Sequence, residues 1–301
     1  MANVLITGAS GLIGQALTEL LLNKGHSVTH LGRKENLQGT VKCYKWDLEK
    51  GLIDQRAFEN IDTVVHLAGA PVLDKRWSAS RKKEVIDSRV ESGKLLVQEI
   101  NKRKPQVKTF VGASGIGFYG AVTNDIIYTE EMPPANDFIA HICKLWEESY
   151  ADLDETNCKK SIIRIGVVLS DKGGALDKMQ GSAKMGILSP LGSGRQYMPW
   201  IHMKDMLHLF YETIVNPDYK GIYNGVAPQH ITNAEFTKVY MHSLGKKVWA
   251  PKVPAFVLKL MLGEMAVVVL EGSRVSADKL LKQGFIFEYS KVDEALRSLQ
   301  H

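Results

Sequence analysis

Cysteine is scarce. Three residues among 301, Cys43, Cys143 and Cys158, show no CxxC spacing and cannot all pair, which argues against a disulfide framework or structural zinc and fits a reducing compartment. No metal site is expected. The N-terminus has no basic stretch followed by an apolar run; it opens directly into Asn3-Val4-Leu5-Ile6, so export is not expected and the expected location is cytoplasmic. Long hydrophobic runs are missing as well. The most apolar late stretch, Pro254 to Leu270, is broken by Lys259, Gly263 and Glu264 and falls short of the roughly 20 apolar residues of a membrane span. Charge of one sign is not in strong excess: 38 Lys and Arg against 33 Asp and Glu leave +5. The densest basic runs, Arg81-Lys82-Lys83 and Lys102-Arg103-Lys104, lie in helical patterns and read as solvated faces rather than a nucleic-acid patch. Neither nucleic acid nor membrane is expected as a partner, and internal repeats and low-complexity tracts are absent.

What remains is a globular composition, 45% hydrophobic and 24% charged, long enough for one large or two unequal domains. Apolar runs alternate with helical patterns through the first half: Val4-Leu5-Ile6, Gly14 to Lys24, Ser27 to Leu31, Val64 to Leu67, Ser88 to Lys102, Thr109 to Val111, a helix from Phe138 to Leu153, and a strand from Ser161 to Leu169. Such alternation predicts right-handed βαβ units and an α/β, Rossmann-type doubly wound parallel sheet. After Leu169 the texture becomes loop-rich before a helix at Asp205 to Val215. A smaller, helix-rich C-terminal substrate lobe is therefore expected from 170–220 and 228–301, while a strand at 221–227 returns to the 1–169 domain. Thr232 is placed to cap a helix, and Trp200 with Ile201 to pack between the lobes.

The strongest local signal is Thr7-Gly8-Ala9-Ser10-Gly11-Leu12-Ile13-Gly14, between the first strand and the first helix. Gly8 permits a tight turn, Gly11 lets backbone approach a pyrophosphate, and Gly14 lets the helix pack close to the sheet. Dinucleotide binding by Thr7, Gly8, Ser10, Gly11, Leu12, Ile13 and Gly14 is expected. Where an NAD enzyme presents an acid to the ribose 2′-hydroxyl, the second strand instead ends in Gly32-Arg33-Lys34. Two cations there favour a 2′-phosphate, so NADP(H) is the expected cofactor, held in part by Arg33 and Lys34.

The GxxGxxG spacing resembles the short-chain dehydrogenase/reductase superfamily. Trp46-Asp47-Leu48 resembles its adenine-edge step, and Val65-His66-Leu67-Ala68-Gly69-Ala70 its ribose-bordering strand end, implying cofactor contacts at Asp47, Leu48, Leu67, Ala68 and Gly69. Ser88-Arg89 opens the following helix, with Arg89 toward the phosphates or nicotinamide ribose. Phe110 to Gly120 resembles the extended-family segment ending in Tyr-Gly, with Ala113 on the cofactor side. The usual catalytic serine position falls on Gly115, beside Ser114. The helix at Phe138 to Glu148 aligns with YxxxK, placing Lys144 on the lysine and Ala140 on the tyrosine. The phenol that would move a proton is missing. Ser114 and Lys144 are the expected catalytic residues, Lys144 also holding the nicotinamide ribose, with Tyr119, His141, Tyr197 and His202 as substitute proton donors. Gly166 and Val167 are expected at the nicotinamide carboxamide.

Ala140 in place of Tyr, with a tail running from Pro251 through Leu262-Gly263-Glu264-Met265-Ala266 and Glu271 to Val275 to Phe285, resembles an atypical subgroup labelled epimerase-like or family 39U, which ends in the domain of unknown function DUF1731. The segment Leu191 to Asp205 is similar to one in nucleotide-sugar epimerases where an Arg meets substrate phosphate, which implies substrate contacts at Arg195, with Tyr119, Tyr197 and His202 nearby. Asp205 is expected to cap the next helix, and Tyr223-Asn224 to pack in the core. The resemblance implies a small-molecule substrate and a homodimer through a helix pair on the flank of the sheet. Three functions stay open: an NADP(H)-dependent oxidoreductase on a small or nucleotide-linked carbonyl or hydroxyl, an NADP(H)-binding regulatory protein without chemistry, and a nucleotide-sugar epimerase or dehydratase.

Overall fold

Runs that are apolar at every position suit strands covered on both faces, and the first of them, Asn3–Thr7 (β1), buries Val4, Leu5 and Ile6 completely. The computed structural model describes residues 1–300. The chain continues through α1 (Leu12–Asn23), β2 (Ser27–Gly32), β3 (Cys43–Asp47), β4 (Leu52–Ile53), β5 (Thr63–His66), α2 (Ala79–Lys102), β6 (Thr109–Gly115), β7 (Ile127–Tyr128), α3 (Phe138–Glu148), β8 (Lys159–Ile165) and β9 (Val167–Leu169). Then follow α4 (Ala175–Lys184), β10 (Trp200–His202), α5 (Met203–Val215), β11 (Gly221–Gly225), α6 (Asn233–Ser243), α7 (Ala255–Leu262), α8 (Val267–Leu270), β12 (Arg274–Val275), α9 (Asp278–Lys282) and α10 (Val292–Ser298).

The central sheet has the order β11-β8-β6-β5-β1-β2-β3-β4. Its pairs are parallel except β3 with β4. Alternate residues of each strand feed opposite layers. Leu5, Val64, Phe110 and Ile162 pack with Leu96, Val97 and Ile100 of α2 and Trp146 of α3, whereas Val4, Ile6, Val65, Val111 and Ile163 pack with Leu17 and Leu21 of α1 and Met206, Leu209 and Phe210 of α5. Each such side chain stabilises the fold by about 1.5–3 kcal/mol relative to exposure. A separate cluster of Leu176, Ala183, Trp200, Phe236, Tyr240, Val292 and Leu296 forms the core of the lobe. Strand order reverses between β1 and β5, and in such sheets the crevice beyond the carboxyl ends at that point receives ligands.

Several elements differ from the sequence expectations. Ser161 to Leu169 is two strands: the Gly166 N–H still donates to the Gly225 carbonyl of β11 at 3.1 Å, but the Val167 N–H turns to the Pro199 carbonyl at 2.8 Å, and β9 pairs with β10 outside the main sheet. Helix α2 starts nine residues before Ser88, capped by Ser78 accepting from the Arg81 N–H, so Ser88 and Arg89 lie inside it. Helix α3 ends at Glu148, five residues short of Leu153. The loop-rich stretch after Leu169 contains α4. Helix α5 packs with α1 on the sheet rather than in the 170–220 lobe, and Asp205 is not its cap: the buried carboxylate accepts the Glu288 and Tyr289 N–H groups (2.7 and 3.1 Å). Thr232 does cap α6, in a reciprocal box with Glu235. No helix among the described residues is long and apolar enough to cross a membrane.

Candidate functional site

The glycine turn sits at the strand-order reversal. Gly8 has φ +68°, and a Cβ there would lie 2.6 Å from the Leu67 carbonyl carbon; a Cβ on Gly14 would lie 2.5 Å from the Gly8 oxygen. Both positions are therefore closed to side chains. The Gly11 N–H donates to Gly8 O at 3.0 Å, and Gly11 caps α1 without a side-chain bond and with no acid in the first turn. The N–H groups of Leu12, Ile13 and Gly14 thus open a helix whose positive end faces the turn, an arrangement suited to a pyrophosphate. Ser10 is exposed at the tip.

Beside the turn, β5 is latched to β1 and α2. The Thr7 hydroxyl is 2.6 Å from His66 Nδ1 and accepts the Ala68 N–H at 3.3 Å, while His66 Nε2 is 3.0 Å from the Ser92 hydroxyl. The Ala70 N–H donates to Ser88 Oγ at 2.9 Å. Arg89 Nη1 donates to the Ala70 and Val85 carbonyls, both at 2.9 Å. Its guanidinium lies 4.7 Å from the Trp146 ring and so close under Gly69 that a Cβ there would be 2.9 Å away. Only 7% exposed and without a carboxylate partner among the described residues, Arg89 is a desolvated cation at the edge of the crevice; burial lowers its pKa. That is the environment a bound phosphate would complete.

Burial, reinforced by the Arg89 charge, pulls His66 down to about 3. The unfolded chain therefore takes up this proton first, and stability contributed by neutral His66 is lost as pH falls from about 6.5 toward 3, at up to about 1.4 kcal/mol per pH unit. His202, pulled to about 4 mainly by burial, acts in the same window. The melting temperature is expected to fall between pH 6.5 and 4.5, and His66→Gln to flatten that slope; an unchanged slope would remove His66 from the account.

At the other end of the crevice Arg33 and Lys34 are exposed, without an ion pair or side-chain hydrogen bond among the described residues. Asp47 closes a turn by accepting the Lys50 N–H at 3.2 Å, and Leu48, Leu67 and Ala68 pack onto the core beneath.

The expected catalytic end is corrected by the geometry. Ser114 is 2% exposed and donates to Glu147 Oε1 at 2.7 Å. Glu147 is paired with Arg164 through Nε and Nη2 (2.8 and 2.9 Å), and Arg164 lies 3.5 Å from the Phe118 ring centre. Arg164 Nη1 also donates to the Tyr119 hydroxyl at 2.9 Å, which donates to Asn224 Oδ1 at 2.6 Å. The Asn224 N–H in turn donates to Glu130 Oε1 at 2.8 Å. Tyr119 is fully buried, and burial pushes its phenol up to about 12. Ser114 and Tyr119 therefore belong to a polar knot under the site rather than to an open pocket. Ala113 is inside the sheet, its carbonyl accepting from Tyr150. Ala140 is fully buried, whereas His141 and Lys144 on α3 are exposed, with Lys144 3.7 Å from Glu148. The N–H groups of Gly166 and Val167 are already taken within the fold.

On the lobe side Arg195 is exposed and Tyr197 half-buried, with the Arg274 guanidinium 5.6 Å from its ring. His202, expected beside the substrate, is 3% exposed; its Nδ1 accepts the Lys204 N–H at 3.1 Å to cap α5, and its ring lies 4.0 Å from that of Tyr289. The sequence reading also missed a bridge across the cleft. Trp77 and Phe138 pack edge to face at 4.9 Å, Lys82 pairs with Glu264, and Arg76 Nη2 donates to the Leu260 carbonyl at 2.8 Å. The Arg76-Trp77 pair in the loop before α2 was its signal. Arg81, expected in a solvated face, is buried and donates to the Pro71 carbonyl.

Comparison with known proteins agrees with this architecture. The profile of the NAD dependent epimerase/dehydratase family matches residues 4–224, and DUF1731 matches 253–299. The chain is 35% identical to the chloroplastic SDR39U1 homolog of Arabidopsis thaliana, covering 98% of this chain and 86% of that one. It is 30% identical to the epimerase family protein YfhF of Bacillus subtilis, covering 99% and 97%. The crystal structure of human epimerase family protein SDR39U1 with NADPH superposes with a TM-score of 0.89 at 32% identity, covering 99% and 98%. With the glycine turn, the sheet order and the C-terminal module all in place, the chain belongs to the NAD dependent epimerase/dehydratase family, among the SDR39U1-like members that end in a DUF1731 domain.

Proposed function

We propose that the chain binds NADP(H) and acts as an oxidoreductase of the extended short-chain dehydrogenase/reductase type on a small or nucleotide-linked carbonyl or hydroxyl compound. The observation that carries the cofactor choice is the exposed Arg33-Lys34 pair at the end of β2, where a 2′-hydroxyl would call for an acid; NADPH in the human relative supports it. The uncapped α1 terminus and the buried, acid-free surroundings of Arg89 suit the pyrophosphate. When bound, the cofactor supplies the hydride chemistry. The chain's own part is to hold the dinucleotide with the glycine turn, Arg33, Lys34, Arg89 and Lys144, and to exclude water by the bridge from Arg76 and Lys82 to the C-terminal segment. Of the expected substitute proton donors, His141 is the one on α3, where it is exposed, as is Lys144.

Titration with NADPH and NADH, followed by cofactor fluorescence, tests the cofactor. Arg33→Asp is expected to weaken NADPH at least about tenfold, the scale of one hydrogen bond to a charged group, with little change for NADH. Equal binding of the two by the unaltered protein would overturn the choice. A panel of carbonyl compounds then tests the reaction: Lys144→Ala is expected to lower kcat more than NADPH affinity. The buried Ala140, together with the commitments of Ser114 and Tyr119, favours a second reading, an NADP(H)-binding regulatory protein, and NADPH binding without oxidation by any panel member would select it. A nucleotide-sugar epimerase ranks last, since the chain lacks both the acid after β2 and the phenol.

A further inference from the structure

A half-buried cation without a carboxylate partner stands on the lobe side of the crevice. The carboxyl ends of β6 and β11 lie on the same side of the parallel sheet as the glycine turn after β1. Strand β12 is tied down beside those ends. The Ser273 hydroxyl donates to the Gly120 carbonyl at 2.7 Å and the Gly272 N–H to Thr123 Oγ1 at 3.3 Å, both in the segment that follows β6, while the Gly272 carbonyl accepts the Tyr197 N–H at 3.2 Å. From β12, Arg274 Nε donates to Nδ1 of His230, in the segment that follows β11, at 2.8 Å. Its guanidinium lies 5.6 Å from the centre of the Tyr197 ring, within the range of a cation–π contact.

The partners of His230 fix its tautomer. Arginine can only donate and a carbonyl can only accept, so Nδ1 is bare toward Arg274 and Nε2 carries the proton, which it gives to the Val275 carbonyl at 3.0 Å. Burial, reinforced by the Arg274 charge, also holds the ring below its usual pKa. A neutral ring aims the guanidinium without cancelling its charge, which a carboxylate partner would do. Among the described residues Arg274 Nη1 and Nη2 have no hydrogen-bond partner and the side chain has no ion pair, although the residue is half-buried. A planar fork held at Nε, covered by an aromatic ring and open at its end suits bidentate binding of an oxyanion. Arg195, the residue expected to meet a substrate phosphate, is exposed, and its side chain makes no hydrogen bond among the described residues.

We infer that Arg274 anchors an oxyanion of the substrate, a carboxylate or a phosphate ester, and that neutral His230 is the residue that positions it. The inference rests on the oxidoreductase reading above, to which it adds the charge of the substrate.

Phenylglyoxal, which reacts with a free guanidinium fork, tests the anchor on the full chain without a known substrate, each arginine being read by peptide mass. Arg274 is expected to be labelled. Millimolar phosphate or acetate, against chloride at equal ionic strength, should slow that labelling severalfold and leave Arg297 on α10 unaffected. Stronger protection by phosphate assigns a phosphate ester, and stronger protection by acetate a carboxylate. His230→Asp sets a carboxylate beside the guanidinium and is expected to remove the protection; His230→Asn, which accepts from Arg274 without charge, is expected to keep it. An unlabelled Arg274, protection no greater than at Arg297, or the same response from both His230 variants would each overturn the inference. Turnover reads the substrate role in matched pairs, glycolaldehyde phosphate with glycolaldehyde and succinic semialdehyde with butyraldehyde. Arg274→Gln is expected to lower kcat/KM for the charged member at least about tenfold, the scale of one hydrogen bond to a charged group, and to spare the neutral one; equal losses would overturn the substrate role. Anion protection at Arg274 without NADPH oxidation by any member leaves the anchor standing and overturns the oxidoreductase reading instead.

Discussion

Glu147→Leu is expected to destabilise the protein by about 3–5 kcal/mol, the usual consequence of removing one partner of a buried ion pair. Glu147 holds Arg164 through two bonds and accepts the Ser114 hydroxyl. Arg164 is 2% exposed and has no route to water once the carboxylate is gone; the Tyr119 hydroxyl and the Glu130 carbonyl are its remaining partners. Urea denaturation measures the loss. Ser114→Ala makes the contrast, because it removes one neutral donor to a carboxylate whose clamp persists, and should cost about 1.5–3 kcal/mol while leaving NADPH binding unchanged. A large fall in stability for Ser114→Ala with Glu147→Leu near neutral would invert the account of the knot.

Gly8→Val is expected to abolish NADPH binding, a loss of more than about a hundredfold, and to destabilise the fold by several kcal/mol. A β-branched residue at φ +68° is strained by about 1–3 kcal/mol before any contact is made. Its Cβ would then meet the Leu67 and Ala68 backbone at 2.6 and 2.7 Å, atoms fixed by the Leu67 and Ala68 N–H bonds to Thr7. Neither side of the crevice could close on a phosphate. Gly25→Val is the control: it has a similar φ of +79° with nothing within 4 Å of the added Cβ, so it should lose stability through strain alone and keep its NADPH affinity. Circular dichroism and cofactor fluorescence read the two variants, and equal binding losses at both positions would show that strain, not the close approach, governs the turn.

The parallel sheet and the turn at Gly8 were legible because their causes are local. An apolar run of β-forming residues and a glycine triplet between strand and helix carry their own signal. Ser114 was misassigned for the opposite reason: the atom that commits its hydroxyl, on Glu147, lies 33 residues away. Gly166 looks like the middle of a strand, and only the Pro199 carbonyl, brought up by a distant segment to take the Val167 N–H, turns the backbone out of the sheet. His202 takes the capping role expected of Asp205, because the tail around Glu288 and Tyr289 presents N–H groups that engage the Asp205 carboxylate. A lone Arg164 within Ser-Ile-Ile-Arg-Ile-Gly was a readable sign of a buried charge, though not of its partner.

The knot and the latch together give the floor of the crevice an unusual constancy. Burial holds His66 down at about 3 and pushes Tyr119, and the Cys143 thiol packed with it, up to about 12, so across the span from about pH 5 to 10, where ordinary histidine and thiol groups change state, these three side chains stay uncharged. The electric field they send toward a bound cofactor is then the same in mild acid and mild base. A bend in a pH–rate profile within that span therefore comes from groups other than these three, and such a profile reads the missing proton carrier without interference from them.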